Sequence, residues 1–276
     1  MTTGIFFHNM FVGKSWPVVG DRYRNFPNLL NDLLKEVSTI IMFEPKPAAE
    51  DILLKIHTKE HIEREKGKWY YEGARITVGA TIEACEKVWK GYVNNAIVFL
   101  VAAGHHASRD YAWGGTYLSC IGPALIKLKS LGLKRLVYID TDSHHGDGDR
   151  NVLLGEKEVM HLCFCDQNED EDNKICIDVG WRTTDEEYLN KVKGILPKVE
   201  KFNPELIIHF FGHDTHIDDY GSRGLSDHFF IELASLMKNF ADRVCNGRYV
   251  ILDGGGANVK VAKRIWPEIM KILSKR

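Results

Sequence analysis

Residues 135–149 read RLVYIDTDSHHGDGD. The first half is apolar and β-branched, the pattern of a strand buried on both faces. The second half crowds aspartates, two adjacent histidines and two glycines into one turn. A solvated loop rich in turn formers would explain that cluster alone, so the decision rests on how other strands end. AIVFLVAAG (96–104) runs into His105 and His106. ELIIHFFG (205–212) runs into His213, Asp214, His216 and Asp218, and RYVIL (248–252) into Asp253 and three glycines. In an open α/β sheet, ligands bind outside the carboxyl ends of the strands. Four strand ends carrying the same chemistry therefore predict one site along one sheet edge.

Amphipathic stretches separate these runs: ITVGATIEACEKVWKGYV (76–93), CIGPALIKLKSLG (120–132), DEEYLNKVKGILPKVEKF (185–202), SDHFFIELASLMKNFADRV (226–244) and ANVKVAKRIWPEIMKILSKR (257–276). VMHLCFC (159–165) adds another strand. Strand, turn and helix alternate, with no linker or fixed-period repeat. The expectation is a single α/β domain over residues 1–276, a mostly parallel β-sheet flanked by helices on both faces. The opening MTTGIFFHNMFVG lacks a basic segment and a cleavage site and reads as a first strand rather than a signal peptide. The acidic DQNEDEDNK (166–174) is expected as a loop beyond a strand end.

A 276-residue chain with 44% apolar and 27% charged residues is ordinary for a globular protein, and a net charge of −2 with a pI near 6.6 gives no reason to expect nucleic acid or an anionic membrane as partner. No run is long enough to span a bilayer. The cysteines, at 85, 120, 163, 165, 176 and 245, are scattered, and only Cys163 and Cys165 share a strand face. Without a CxxC pair they read as reduced thiols in a cytoplasmic protein. Trp16, Trp69, Tyr70 and Tyr71 read as core or interface packing, which leaves a homo-oligomer open.

Asp142 and His144 stand two apart, so an extended backbone turns both to one face. With Asp214 from another strand end they form a His/Asp/Asp set suited to a divalent metal with an open position, Zn²⁺ first and Fe²⁺ or Mn²⁺ as alternatives. His105 and His106 are then the proton-transfer groups, because imidazole titrates near neutrality. Asp140 and Asp147 are placed to accept hydrogen bonds from those rings and fix their tautomers.

GHHA (104–107), YIDTDSHHGDGD (138–149), GHDTHIDDYGSRGLS (212–226) and LDGGGAN (252–258), in that order, resemble the signature blocks of the histone deacetylase superfamily, which includes acetylpolyamine amidohydrolases and acetoin-utilisation proteins. GDRYRNFPNLLNDL (20–33) and LLKIHTKEHIEREK (53–66) extend the likeness over essentially the whole chain. The resemblance implies an arginase-like α/β fold and zinc-dependent amide hydrolysis. It matches Asp142, His144 and Asp214 to the metal ligands, His105 and His106 to the catalytic pair, and Asp140 and Asp147 to their partners.

Three departures follow. The glycine-rich block of the family ends in a tyrosine that stabilises the oxyanion, and here Ala257 stands there. Losing one such donor costs on the order of 10²–10³ in rate. Tyr220 is the favoured replacement, ahead of His213, His216 and Asn258. In WGGTY (113–117), Gly115 stands where the resemblance implies an aromatic wall, so a more open, polar pocket is expected, with Asp166, Glu169 and Asp170 attracting a cationic substrate. Cys163 stands where some relatives use a serine for a monovalent cation. The reading is a metal-dependent hydrolase of a small N-acylated amine; a catalytically weak ligand-binding protein, or a hydrolase of a formyl or guanidino C–N bond, are the alternatives.

Overall fold

The computed structural model describes residues 1–275. The strands are β1 (Thr3–Phe6), β2 (Ile40–Phe43), β3 (Asn95–Phe99), β4 (Leu136–Asp140), β5 (Val159–Cys165), β6 (Glu169–Glu171), β7 (Lys174–Asp178), β8 (Leu206–Phe211) and β9 (Tyr249–Asp253), apolar runs but for the acidic β6. They pair in the order β2-β1-β3-β9-β8-β4-β5-β7-β6, all parallel except β6 against β7. The helices are α1 (Phe26–Glu36), α2 (Glu50–Leu53), α3 (Lys59–Lys66), α4 (Tyr71–Trp89), α5 (Ile121–Ser130), α6 (Asp147–Val152), α7 (Asp185–Phe202), α8 (Asp227–Cys245) and α9 (Val259–Ser274). Helices α4 and α9 both pack on β1 and β3, while α4 takes α5 as its neighbour and α9 takes α8. This is the layered α/β architecture that the sequence implies.

Helix ends follow local chemistry. Thr184 and Glu187 close a capping box at the start of α7, and Asn203 ends that helix at φ 57°. The Ser226 hydroxyl caps α8, and Asn246 ends it in the same left-handed conformation.

Strands β3, β9, β8 and β4 are buried along their full length. Their register levels the carboxyl ends: Phe99 and Phe211 both lie opposite Asp253, and Asp140 lies opposite Phe210. Although β3 and β4 are consecutive among these four in the chain, β9 and β8 lie between them, so the loops after all four strands converge on one crevice.

Strand β2, which has no counterpart among the runs read from the sequence, is only IIMF, too short to show a period. One segment differs from expectation. The acidic tract is not a free loop: its middle is β6, joined to β7 by a two-residue turn in which Asp172 and Asn173 have φ of 46° and 65°, the mirror-image turn that suits a hairpin. Trp16 and Tyr71 are core residues, Tyr70 stacks on Tyr117 at 4.0 Å, and Trp69 stays exposed. Among the described residues no helix is long and apolar enough to cross a membrane.

Candidate metal centre and histidine pair

The loops after β4 and β8 bring Asp142, His144 and Asp214 together, with one ligand atom from each lying within 4.8 Å of the others. The Nδ1 of His144 is 3.2 Å from an Asp142 oxygen and 3.1 Å from Asp214 Oδ2. Backbone donors orient the carboxylates: Gly255 N–H donates to Asp142 Oδ2 at 2.7 Å, and Ser143 N–H to Asp214 Oδ1 at 3.0 Å. Gly255 is required here, since a Cβ on it would lie 2.5 Å from Asp142 Oδ2 and 2.8 Å from the Tyr220 hydroxyl.

The donor set fits a divalent cation. Asp214 Oδ2 is buried and has no hydrogen-bond donor beyond the nearby His144 ring, whose Nδ1 lies 3.1 Å away. Burial and the neighbouring Asp142 charge push the Asp214 carboxyl up to about 8, as expected for a carboxylate pair short of positive charge. Contact with Asp142 and Asp214 raises His144 to about 10 for the same reason. Three protein donors leave room for further ligands, which is the arrangement of a catalytic rather than a closed site.

Beside this triad stand two histidine–carboxylate pairs. His105 Nδ1 is 2.8 Å from Asp140 Oδ2, and His106 Nδ1 is 2.6 Å from Asp147 Oδ1. Both carboxylates engage Nδ1, leaving each Nε2 as the working atom. The rings lie 4.1 Å apart, and His105 stacks on Phe210 at 4.5 Å. Burial lowers His105, and burial together with His105 lowers His106 to about 4, so both are neutral at pH 7 and able to accept a proton.

The two rings, Asp142 and His144 open on one cavity of about 260 Å³, lined also by Val18, Leu100, Trp113 and Tyr220. Tyr220 enters from the loop that carries Asp214. Its hydroxyl accepts from Gly256 N–H at 3.2 Å, and its ring lies 5.9 Å from that of His144. Packing around the hydroxyl and the Asp214 and Asp142 charges raise its pKa, keeping it a donor. The other candidate donors lie outside the cavity lining, and neither ring nitrogen of His213 has a hydrogen-bond partner. His213 lies beneath the glycine loop, 3.5 Å from Asp253; His216 is 3.1 Å from Asp227; Asn258 caps α9. Ala257 offers only its N–H, donated to Asp219.

Two expectations about the pocket need correction. An aromatic wall is present, supplied by Trp113 rather than by position 115: its ring lies 3.8 Å from that of His106, and its Nε1–H donates to Asp147 Oδ2 at 2.9 Å. Gly114 makes this stacking possible, since a Cβ there would come within 2.5 Å of the His106 ring. The acidic side chains are not at the cavity: Glu169 pairs with Arg150 and Asp170 with Lys198 along the sheet edge. Arg22, inside GDRYRNFPNLLNDL, has a role that its sequence context does not signal. Its buried guanidinium donates to the carbonyls of Gly254, Gly256, Asp253 and Leu100 and so holds the glycine loop.

Comparison with known proteins follows the same lines. The histone deacetylase domain matches residues 66–273. A probable deacetylase of Archaeoglobus fulgidus is 25% identical over 95% of this chain and 83% of its own length. A histone deacetylase-like amidohydrolase of Pseudomonas aeruginosa is 26% identical over 76% of this chain and 64% of its own. Acetoin utilization protein AcuC of Bacillus subtilis is 24% identical over 87% of this chain and 74% of its own. Among solved structures, the HDA15 HD domain superposes with a TM-score of 0.86 over 99% of this chain and 88% of that one at 18% identity, a likeness of fold. With the domain match covering well over half its length, the chain belongs to the histone deacetylase superfamily and is a deacetylase-like hydrolase.

Proposed function

We propose that the protein hydrolyses the amide of a small N-acylated amine, using one divalent ion, zinc first among the candidates, held by Asp142, His144 and Asp214. The observation that carries this reading is the gathering of that triad, two histidine–carboxylate pairs and Tyr220 around one cavity, which Asp142, His144, both histidines of the pairs and Tyr220 line. When bound, such an ion polarises a carbonyl and acidifies water.

The remaining work falls to the chain. His105 and His106, neutral and aimed by Asp140 and Asp147, take the proton of the attacking water and return one to the departing amine. Tyr220 donates its hydroxyl to the oxygen on which charge develops, in place of the tyrosine that Ala257 has lost. Trp113 and Val18 form an apolar wall against the carbon chain of the substrate. With Glu169 and Asp170 paired off at the sheet edge and Asp166 outside the cavity lining, selection by apolar contact replaces attraction of a cation.

Turnover of a panel of N-acetyl, N-formyl and longer N-acyl amines tests this before chelation, after it, and after addition of zinc, iron or manganese. Activity should vanish on chelation and return with one of these ions. Activity indifferent to chelation would refute the metal role. A metal-loaded protein that turns over no member of the panel would favour ligand binding without catalysis.

A further inference from the structure

Parallel pairing of β5 with β7 sets Cys163 opposite Cys176, and strand alternation puts Cys165 on the same face as Cys163. All three thiols are buried and form a separate cluster apart from the main core. The loop after β4 delivers His145 onto them: its Nδ1 lies 3.6 Å from Cys163 Sγ, 3.5 Å from Cys165 Sγ and 3.7 Å from Cys176 Sγ. The four ligand atoms lie within 4.8 Å of one another. In a tetrahedral zinc site with bonds of about 2.3 Å to sulfur and about 2.05 Å to nitrogen, the nitrogen–sulfur edge is about 3.6 Å. The cluster already has those edges.

We propose that His145, Cys163, Cys165 and Cys176 form a second metal site, a closed Cys₃His centre for one thiophilic divalent ion, zinc by its ligand set. Four protein donors leave no open position, which marks the site as structural. An iron–sulfur cluster would hold its ligand atoms much farther apart. On binding, the three thiols release their protons to solvent, and the centre, two positive charges against three thiolates, carries one negative charge. Two donors are placed to meet it: Arg150 Nη1, 3.5 Å from Cys176 Sγ, and Gly146 N–H, 3.5 Å from Cys163 Sγ. Because His144 and His145 are adjacent, the ion would fix from behind the loop that presents Asp142 and His144 to the catalytic cavity. The site is independent of the proposed hydrolysis, since it uses none of the cavity residues.

Cobalt reconstitution of the full chain reads it directly, because thiolate-to-cobalt charge transfer gives a strong near-ultraviolet band that oxygen and nitrogen ligands do not. The band is expected in the wild type and in Asp214→Asn, and is expected to be lost in Cys165→Ser and Cys176→Ser. As a check that needs no variant to fold, a mercurial added to the native zinc form should release one equivalent of zinc as these thiols are titrated. Absence of the band from the wild type would overturn the proposal. So would its loss in Asp214→Asn with retention in the cysteine variants, or a disulfide among the three cysteines in the protein as purified.

Discussion

The hydroxyl of Tyr220 reaches the glycine loop from the segment that carries Asp214, and on the proposed function it takes the role that position 257 has given up. Tyr220→Phe keeps the ring against His144 and removes only the donor. It should lower kcat on the order of 10²–10³ with little change in KM or metal content. Steady-state kinetics on an accepted N-acyl amine checks this, and a loss below tenfold would return the question to Ala257. Asp147 binds His106 with one oxygen and Trp113 with the other. Asp147→Asn should cost roughly 10- to 100-fold in kcat. It should also move the acid limb of the rate profile to lower pH, because the contact with Asp147 supports the protonated form of His106. A profile that falls uniformly without moving would reduce Asp147 to a packing role.

At the scale of elements, helix α6 presses so closely on the histidine loop that only glycine fits at 148. A Cβ there would lie 2.4 Å from Ala107 N and from the His106 carbonyl carbon. Gly148→Ala should destabilise the fold by roughly 1–3 kcal/mol through overpacking. Because the displaced backbone carries His106, activity should fall further than the melting temperature alone would explain. Thermal denaturation alongside kinetics at a temperature well below the transition separates the two effects. The long elements were legible because their signals agree: β5 matches VMHLCFC residue for residue, and α7 matches the stretch from Asp185 with its capping box. The β6–β7 hairpin was missed because charge dominates DQNEDEDNK, although its Asp172-Asn173 pair is the turn chemistry a hairpin requires. The residues of the metal triad and both histidine pairs were readable because all lie at strand ends. Trp113 was not, because Gly114 hands the wall to the residue before it. The Cys₃His cluster was invisible for a different reason. Cys176 lies on another strand, and only the register of β5 with β7 brings it to Cys163.

For the whole molecule, buried imidazoles set the response to acid. Burial lowers His57 to about 4 and His209 to about 3, and each is satisfied as a neutral ring. His57 Nδ1 meets the Ser108 carbonyl at 2.9 Å while its Nε2 accepts from Ser119 N–H at 3.0 Å. His209 lies 2.7 Å from the Tyr249 hydroxyl and 2.8 Å from that of Thr141. Since the folded values lie below the ordinary 6.5, the unfolded chain binds these protons first. The stability they contribute is complete above pH 6.5 and is lost as pH falls toward the folded values. Between pH 6 and 4, each such group steepens the fall by up to about 1.4 kcal/mol per pH unit. His209→Phe should be less stable than the wild type at pH 7 and lose stability less steeply below pH 6. Urea midpoints across that range would show it, and parallel slopes would contradict it.

On the proposed function, Asp142, His144 and Asp214 hold the ion on which amide hydrolysis depends. Asp142→Ala tests it most directly, with metal content and turnover of the N-acyl amine panel measured on the same preparation. The variant should lose one metal equivalent relative to the wild type, stay folded, and show no turnover. Full turnover by the variant, or an unchanged metal content beside lost turnover, would contradict it.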